Sequence, residues 1–145
     1  MADARLLREP IDPHAVARGL AGAHDGAVAS FTGVVRNHQD GREVLWLEYQ
    51  AYEEMAEKQM AALIAEALRR WPISDAAIAH RLGRLEIGHV SVVVAVAAPH
   101  RAEAFAACQW LIDTLKADIP IFKKEKYADG EAWVGELAGD LVADR

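Results

Sequence analysis

The sequence predicts an α+β fold, a mixed and largely antiparallel sheet with two main helices packed on it. Three observations carry this expectation. Residues 27–35 and 90–98 are runs rich in β-branched and apolar side chains. Residues 53–71 and the segment from 101 to 116 repeat their apolar positions at helical spacing. The order is strand hairpin, helix, strand pair, helix, strand pair, which is the pattern of an α+β domain. A chain of 145 residues is long enough to close one core. Residues 1–145 are therefore read as a single domain, with 1–24 a variable leading segment containing a short helix and 138–145 a loose tail.

Asp12-Pro13 has the form of an N-cap followed by proline at the first helical position, so a short helix is expected from there to about Leu20, closing in the region of Gly19 and Gly22. The strand at 27–35 follows, and a second β-like run covers 44–49. Asp40-Gly41 supplies the left-handed conformations of a tight reversal, so these two runs are expected to form a hairpin with Arg36 at its mouth. In 53–71, Met60, Leu63, Ile64, Ala67, Leu68 and Trp71 repeat at helical spacing while charged residues fill most other positions. Pro72 ends that helix, because it disfavours helical geometry in the residue before it. Met55 and Met60 read as rim and core packing. A third strand is expected over 77–82 and a turn over 83–88. Residues 90–98, almost entirely apolar, read as a strand buried on both faces at the centre of the sheet. Pro99-His100-Arg101 opens the second long helix, with an inward stripe of Ala104, Phe105, Cys108, Leu111, Ile112 and Leu115 and with Lys116 in its last turn. Pro120 bars its continuation. Short strands at 121–127 and 131–137 around Asp129-Gly130 complete the pattern, and 140–145 trail off.

Composition narrows the function. Sixteen Lys and Arg against twenty-two Asp and Glu give a net charge of −6, which argues against a broad surface for nucleic acid, so any anion site must be local. The longest apolar run, residues 90–98, is far short of the roughly 20 residues of a membrane helix. The start, Met1-Ala2-Asp3-Ala4-Arg5, has no basic stretch leading into an apolar one, which points to the cytoplasm. Cys108 is the single cysteine and sits on an apolar helical stripe, so it reads as a protonated, inert core thiol; chemistry that needs a thiol must receive it from a partner. His14, His24, His38, His80 and His89 lack metal-ligand spacing, and no metal is expected. Gly83 and Gly88 are not followed by the Lys-Ser or Lys-Thr of a phosphate loop, and neither Ser30 nor Ser91 lies in a nucleophile elbow.

Four basic elements remain: Arg36 after a strand, His100-Arg101 at a helix start, Lys116 at that helix's end, and Lys123-Lys124 after Pro120. Each also has a structural explanation, since Lys116 complements the helix dipole and Lys123 to Lys126 suit a solvated edge strand. Free N–H groups at a helix N-terminus beside a guanidinium make a receptor for phosphate or carboxylate, whereas His100 as a simple cap is the competing reading. Strand alternation puts Lys123 on one face with Ile121 and Glu125, and Lys124 on the other with Phe122 and Lys126, so only one of the two lysines can point into a common pocket.

In order, Phe31-Thr32-Gly33-Val34-Val35-Arg36-Asn37-His38, His80-Arg81-Leu82-Gly83 with Leu85 and Gly88, His100-Arg101 with Ala104-Phe105, Leu115-Lys116 leading to Pro120-Ile121-Phe122-Lys123-Lys124-Glu125, and Trp133-Val134 closely resemble the catalytic large subunit of molybdopterin synthase, from about Asp25 to Val134. The resemblance implies sulfur transfer in molybdenum cofactor biosynthesis: cyclic pyranopterin monophosphate becomes the molybdopterin dithiolene. It implies a small ubiquitin-like partner whose Gly-Gly tail carries the sulfur as a thiocarboxylate, a homodimer of large subunits within a heterotetramer, and no resident cofactor. It places Lys116 and Lys123 as catalytic lysines. The same resemblance implies that Arg36, His100 and Arg101, joined by Lys124, bind substrate, with Arg101 serving the neighbouring subunit's site in the dimer. Phe122, where the family commonly has tryptophan, and His89, where it commonly has an acid, depart from the pattern. The alternative reading is a non-enzymatic module that holds a phosphorylated small molecule or a partner's C-terminal carboxylate with the same cations.

Overall fold

The computed structural model describes residues 3–128 and 130–134. Among them the chain runs β1 (Asp3–Leu7), α1 (Pro13–Ala17), β2 (Ala27–Val34), β3 (His38–Gln39), β4 (Arg42–Ala51), α2 (Glu53–Arg70), β5 (Asp75–Arg81), β6 (Gly83–Glu86), β7 (Val90–Ala98), α3 (Arg101–Asp118), β8 (Ile121–Tyr127) and β9 (Gly130–Val134). The class is α+β, with the strands divided between two sheets. One has the order β1-β5-β7-β2, parallel only between β1 and β5; the other joins β3, β4, β8 and β9 in antiparallel order, with β6 on the free flank of β4.

β7 is interior to the four-stranded sheet, and every residue from Ser91 to Ala98 is buried. On one face Val92, Val94, Val96 and Ala98 join Ala76 and Ile78 of β5 beneath α2 and α3. α2 contributes Ala56, Met60, Ile64 and Ala67, spaced four, four and three apart on one stripe. α3 contributes Ala104, Ala107, Cys108, Leu111, Ile112 and Leu115. On the other face Val93 and Ala79 pack against Ile11 in the segment around α1, which Asp12 caps by accepting from the His14 N–H at 3.0 Å. Among the described residues no helix is long and apolar enough to cross a membrane.

Several expectations are corrected. Residues 27–35 and 44–49 do not form a hairpin: β2 lies along β7, and β4 belongs to the other sheet. The Asp40-Gly41 turn does form, with both residues at positive φ (51° and 76°), but its arms are the two residues of β3 and the start of β4. A two-residue turn pairs only what flanks it directly. Upstream the ladder shifts at Gly33/Val34, and Val35 bonds the His89 carbonyl, so the chain leaves the first sheet there. The turn expected over 83–88 is a strand up to Glu86, in which Leu85 is buried while Arg84 and Glu86 point outward; only Ile87-Gly88 turns. The leading segment holds β1, which composition did not mark, and α1 ends at Ala17 because Arg18 is already extended. Phe105, expected inside α3's stripe, is 66% exposed, and Ala107 takes the inward place. The expected strand at 131–137 is described to Val134; its remainder, Asp129 and the tail at 138–145 lie outside the described residues.

Candidate active site

Between the two sheets opens a cleft of about 290 Å³. Its first wall is the end of β2 from Phe31 onward, running into Val35 and Arg36. Leu47 and Tyr49 of β4 and Ser91 of β7 line it as well. Lys116 reaches it from the last turn of α3, where unpaired carbonyls favour a cation. Lys123 and Glu125 come from β8. Helix α3 ends at Asp118 because Pro120 follows, and Ile119 is the extended C-cap. That short link sets the first residues of β8 beside the helix end and so places the two lysines on one cleft.

Lys123 is 9% exposed, and its Nζ lies 3.8 Å from Glu125 Oε2, an ion pair within one strand face. Glu125 is held in turn by the Tyr127 hydroxyl, which donates to its Oε1 at 2.6 Å. Burial, and then that bond to a carboxylate, push the Tyr127 hydroxyl up to about 12. The Arg42 guanidinium stacks on the Tyr127 ring at 3.6 Å. Arg36 is steadied from the hairpin, its Nη2 donating to Oε1 of buried Gln39 at 2.9 Å.

Arg36, Lys116 and Lys123, remote in sequence, thus meet at one cleft. Lys124 stands on the opposite strand face, its Nζ 3.7 Å from Glu48 and 3.6 Å from Glu131 and 5.3 Å from the centre of the Trp133 ring. His100 and Arg101 are exposed at the start of α3. Fifteen residues of helix at 1.5 Å each put them roughly 22 Å from Lys116. His100 occupies the N-cap position without a side-chain capping bond. Cys108 is buried under the sheet, its Sγ donating to the Val94 carbonyl at 3.8 Å, and burial pushes the thiol up to about 11. His89, one of the departures noted above, accepts the Glu86 N–H at Nδ1 (3.2 Å), as an acidic side chain there would.

Glu125, Tyr127, Tyr49 and Gln39 were not among the residues singled out from sequence. Glu125 and Tyr127 carried a signal, sharing a strand face with Lys123. Gln39 is placed by the β3–β4 hairpin, and Tyr49 became visible only when the two sheets closed on each other.

Residues 6–118 match the family model described as MoaE protein. The molybdopterin synthase catalytic subunit of Halalkalibacterium halodurans is 44% identical over 131 residues, covering 90% of this chain and 84% of that one. The crystal structure of molybdopterin synthase from Staphylococcus aureus superposes with a TM-score of 0.87 at 38% identity, covering 93% of this chain and 98% of the other. A Helicobacter pylori chain from a complex of subunits 1 and 2 of molybdopterin-converting factor shares the fold, with a TM-score of 0.75 at 20% identity over 91% of this chain and 90% of its own. The chain belongs to the MoaE protein family, that of the molybdopterin synthase catalytic subunits.

Proposed function

We propose that the cleft is the sulfur-transfer site at which cyclic pyranopterin monophosphate becomes the molybdopterin dithiolene, the sulfur arriving on the thiocarboxylated C-terminus of a small ubiquitin-like subunit. The observation that carries this reading is the convergence of Arg36, Lys116 and Lys123 on one cleft between two sheets. Arg36, oriented by Gln39, suits the substrate phosphate, because a guanidinium offers paired donors to phosphate oxygens. Lys116 and Lys123 suit the thiocarboxylate: its sulfur attacks the substrate carbon to give a thioester, water then attacks the acyl carbon and frees the partner's tail as a carboxylate, and ammonium donors fixed in a partly dry cleft stabilise the oxyanion of that second step without reorganising. Cys108 takes no part, in keeping with a thiol held protonated beneath the sheet. A partner must therefore bring the sulfur.

His100 and Arg101 enter this reading through a second copy of the chain. β2 is an edge strand, and along that flank Val28, Val34 and, on the α3 that packs beside it, Phe105 are exposed. A homodimer covering that flank brings the start of one α3 toward the cleft of its neighbour. The test is reconstitution with the thiocarboxylated small subunit and the cyclic pterin, measuring dithiolene product. Lys116→Ala and Lys123→Ala are each expected to lower turnover by about 10²- to 10³-fold, the usual cost of one oxyanion donor, with thermal melting retained. Wild-type turnover in either variant removes that lysine from the mechanism, and absence of product from the wild-type complex leaves only a binding module.

A further inference from the structure

Behind the cleft lies a smaller chamber of about 30 Å³, walled by Tyr49, His80, Leu115, Lys116, Ile121 and Lys123. It is room for about one water molecule. His80, on β5, is 5% exposed and shares a strand face with Ala76 and Ile78, the face that carries the helices. Its Nδ1 lies 2.9 Å from the main-chain oxygen of Arg81. A carbonyl only accepts, so Nδ1 carries the hydrogen and the neutral ring keeps its lone pair on Nε2. The Tyr49 ring meets the imidazole edge-on, centroids 4.7 Å apart at 80°, which limits its rotation. A buried imidazole with a fixed tautomer, sharing a chamber with two lysines, is not needed for packing alone.

We propose that His80 is a positioning residue for the lysine pair: its Nε2 accepts a hydrogen bond, directly or through one water, from an ammonium in the chamber and holds that donor charged and aimed at the cleft. This rests on the reading of Lys116 and Lys123 as the sulfur-transfer cations. Among the described residues, the charged and titratable groups around the ring include Tyr49 from β4, Lys116 from α3, and Lys123 with Glu125 beyond it from β8. Glu57 of α2 accepts the N–H of Leu6, the β1 residue paired with His80. A neutral ring with its lone pair on Nε2 is the form that can accept from an ammonium. A hydrogen bond to the charged form favours it, so an acceptor at His80 Nε2 stabilises the ammonium.

The test separates the two ring nitrogens. His80→Asn keeps an amide N–H for the Arg81 carbonyl and removes the acceptor; His80→Gln reaches to the depth of Nε2 and restores one. In the full chain, acylation of Lys116 and Lys123 by acetic anhydride is followed against pH by mass spectrometry, alongside turnover of the reconstituted complex. His80→Asn is expected to lower the half-labelling pH of at least one of the two lysines by about one unit, a tenfold gain in free amine at a given pH, and to lower turnover. His80→Gln is expected to return both toward wild type. Unchanged labelling of both lysines in His80→Asn overturns the proposal, as does an upward shift or a His80→Gln titration identical to that of His80→Asn. Should the variants fail to fold, nitrogen-15 shifts of His80 in the wild-type chain decide: the neutral Nδ1–H tautomer at neutral pH is expected, and the Nε2–H tautomer or an imidazolium overturns it. Wild-type turnover in the lysine variants would instead sink the catalytic reading while leaving the labelling result intact.

Discussion

Taking an ammonium out of water costs several kcal/mol unless a partner replaces the lost solvent. Lys123 is buried beside Glu125, and Glu125 is held by Tyr127, so part of that cost is offset within a single strand through residues two apart. Cys108 shows the opposite solution, since its charged form is simply disfavoured. Burial moves the thiol from an ordinary 9.0 up to about 11. The folded chain therefore holds that proton more tightly than the unfolded one, and this contribution to stability is complete below about pH 9 and lost as pH rises toward 11. Tyr127 acts in the same direction one step higher, between its ordinary 10.0 and about 12. Urea midpoints measured against pH are expected to decline from about pH 9 in the wild type. In Cys108→Ala the decline starts about one unit later, where Tyr127 begins to titrate. Identical profiles would show that Cys108 is not desolvated as the fold requires.

At the scale of elements, the small β3–β4 hairpin does more than reverse the chain. Its turn residues, Asp40 and Gly41, both adopt positive φ, and the register they set delivers Gln39 to Arg36. Gln39→Leu fills similar space without the acceptor. It is expected to raise KM for the phosphorylated substrate roughly fivefold, the equivalent of about 1 kcal/mol for one hydrogen bond, with kcat nearly unchanged. An unchanged KM would mean that Arg36 is oriented by other contacts. This hairpin also marks how far the sequence could be read. Asp40-Gly41 marks a turn, but local spacing says nothing about which of two sheets receives a strand, and β2 pairs with β7 rather than with β4. β6 is four residues long and alternates only once, Leu85 between Arg84 and Glu86, too short a pattern to outweigh two glycines. β1 is held by parallel pairing with β5, a long-range ladder with no local signature. The long segments were legible because their periodicity extends over several turns or a whole strand, as in α2, α3 and β7. In the cleft, Lys116 and Lys123 were legible from motif order and Tyr127 follows from strand alternation, whereas Gln39 owes its position to the hairpin register and Tyr49 to the meeting of sheets.

At the scale of the whole molecule, one copy of the chain assembles only part of the cation set inferred from its motifs. Arg36, Lys116 and Lys123 share a cleft, but Arg101 is exposed roughly 22 Å from Lys116 along the same helix. A rigid helix cannot fold back over that distance, so an Arg101 that contacts substrate must do so in another copy. A two-fold dimer has two such sites, each taking Lys123 from one chain and Arg101 from the other. Mixing separately inactive Arg101→Ala and Lys123→Ala proteins then has a definite outcome. In a mixed dimer one site collects both substitutions and the other collects neither. Random exchange makes half the dimers mixed, so about a quarter of all sites are intact and about a quarter of wild-type turnover is expected to return. If each site instead draws both residues from a single chain, no mixture regains activity. Dithiolene formation after subunit exchange, with each variant alone as the control, distinguishes the two arrangements.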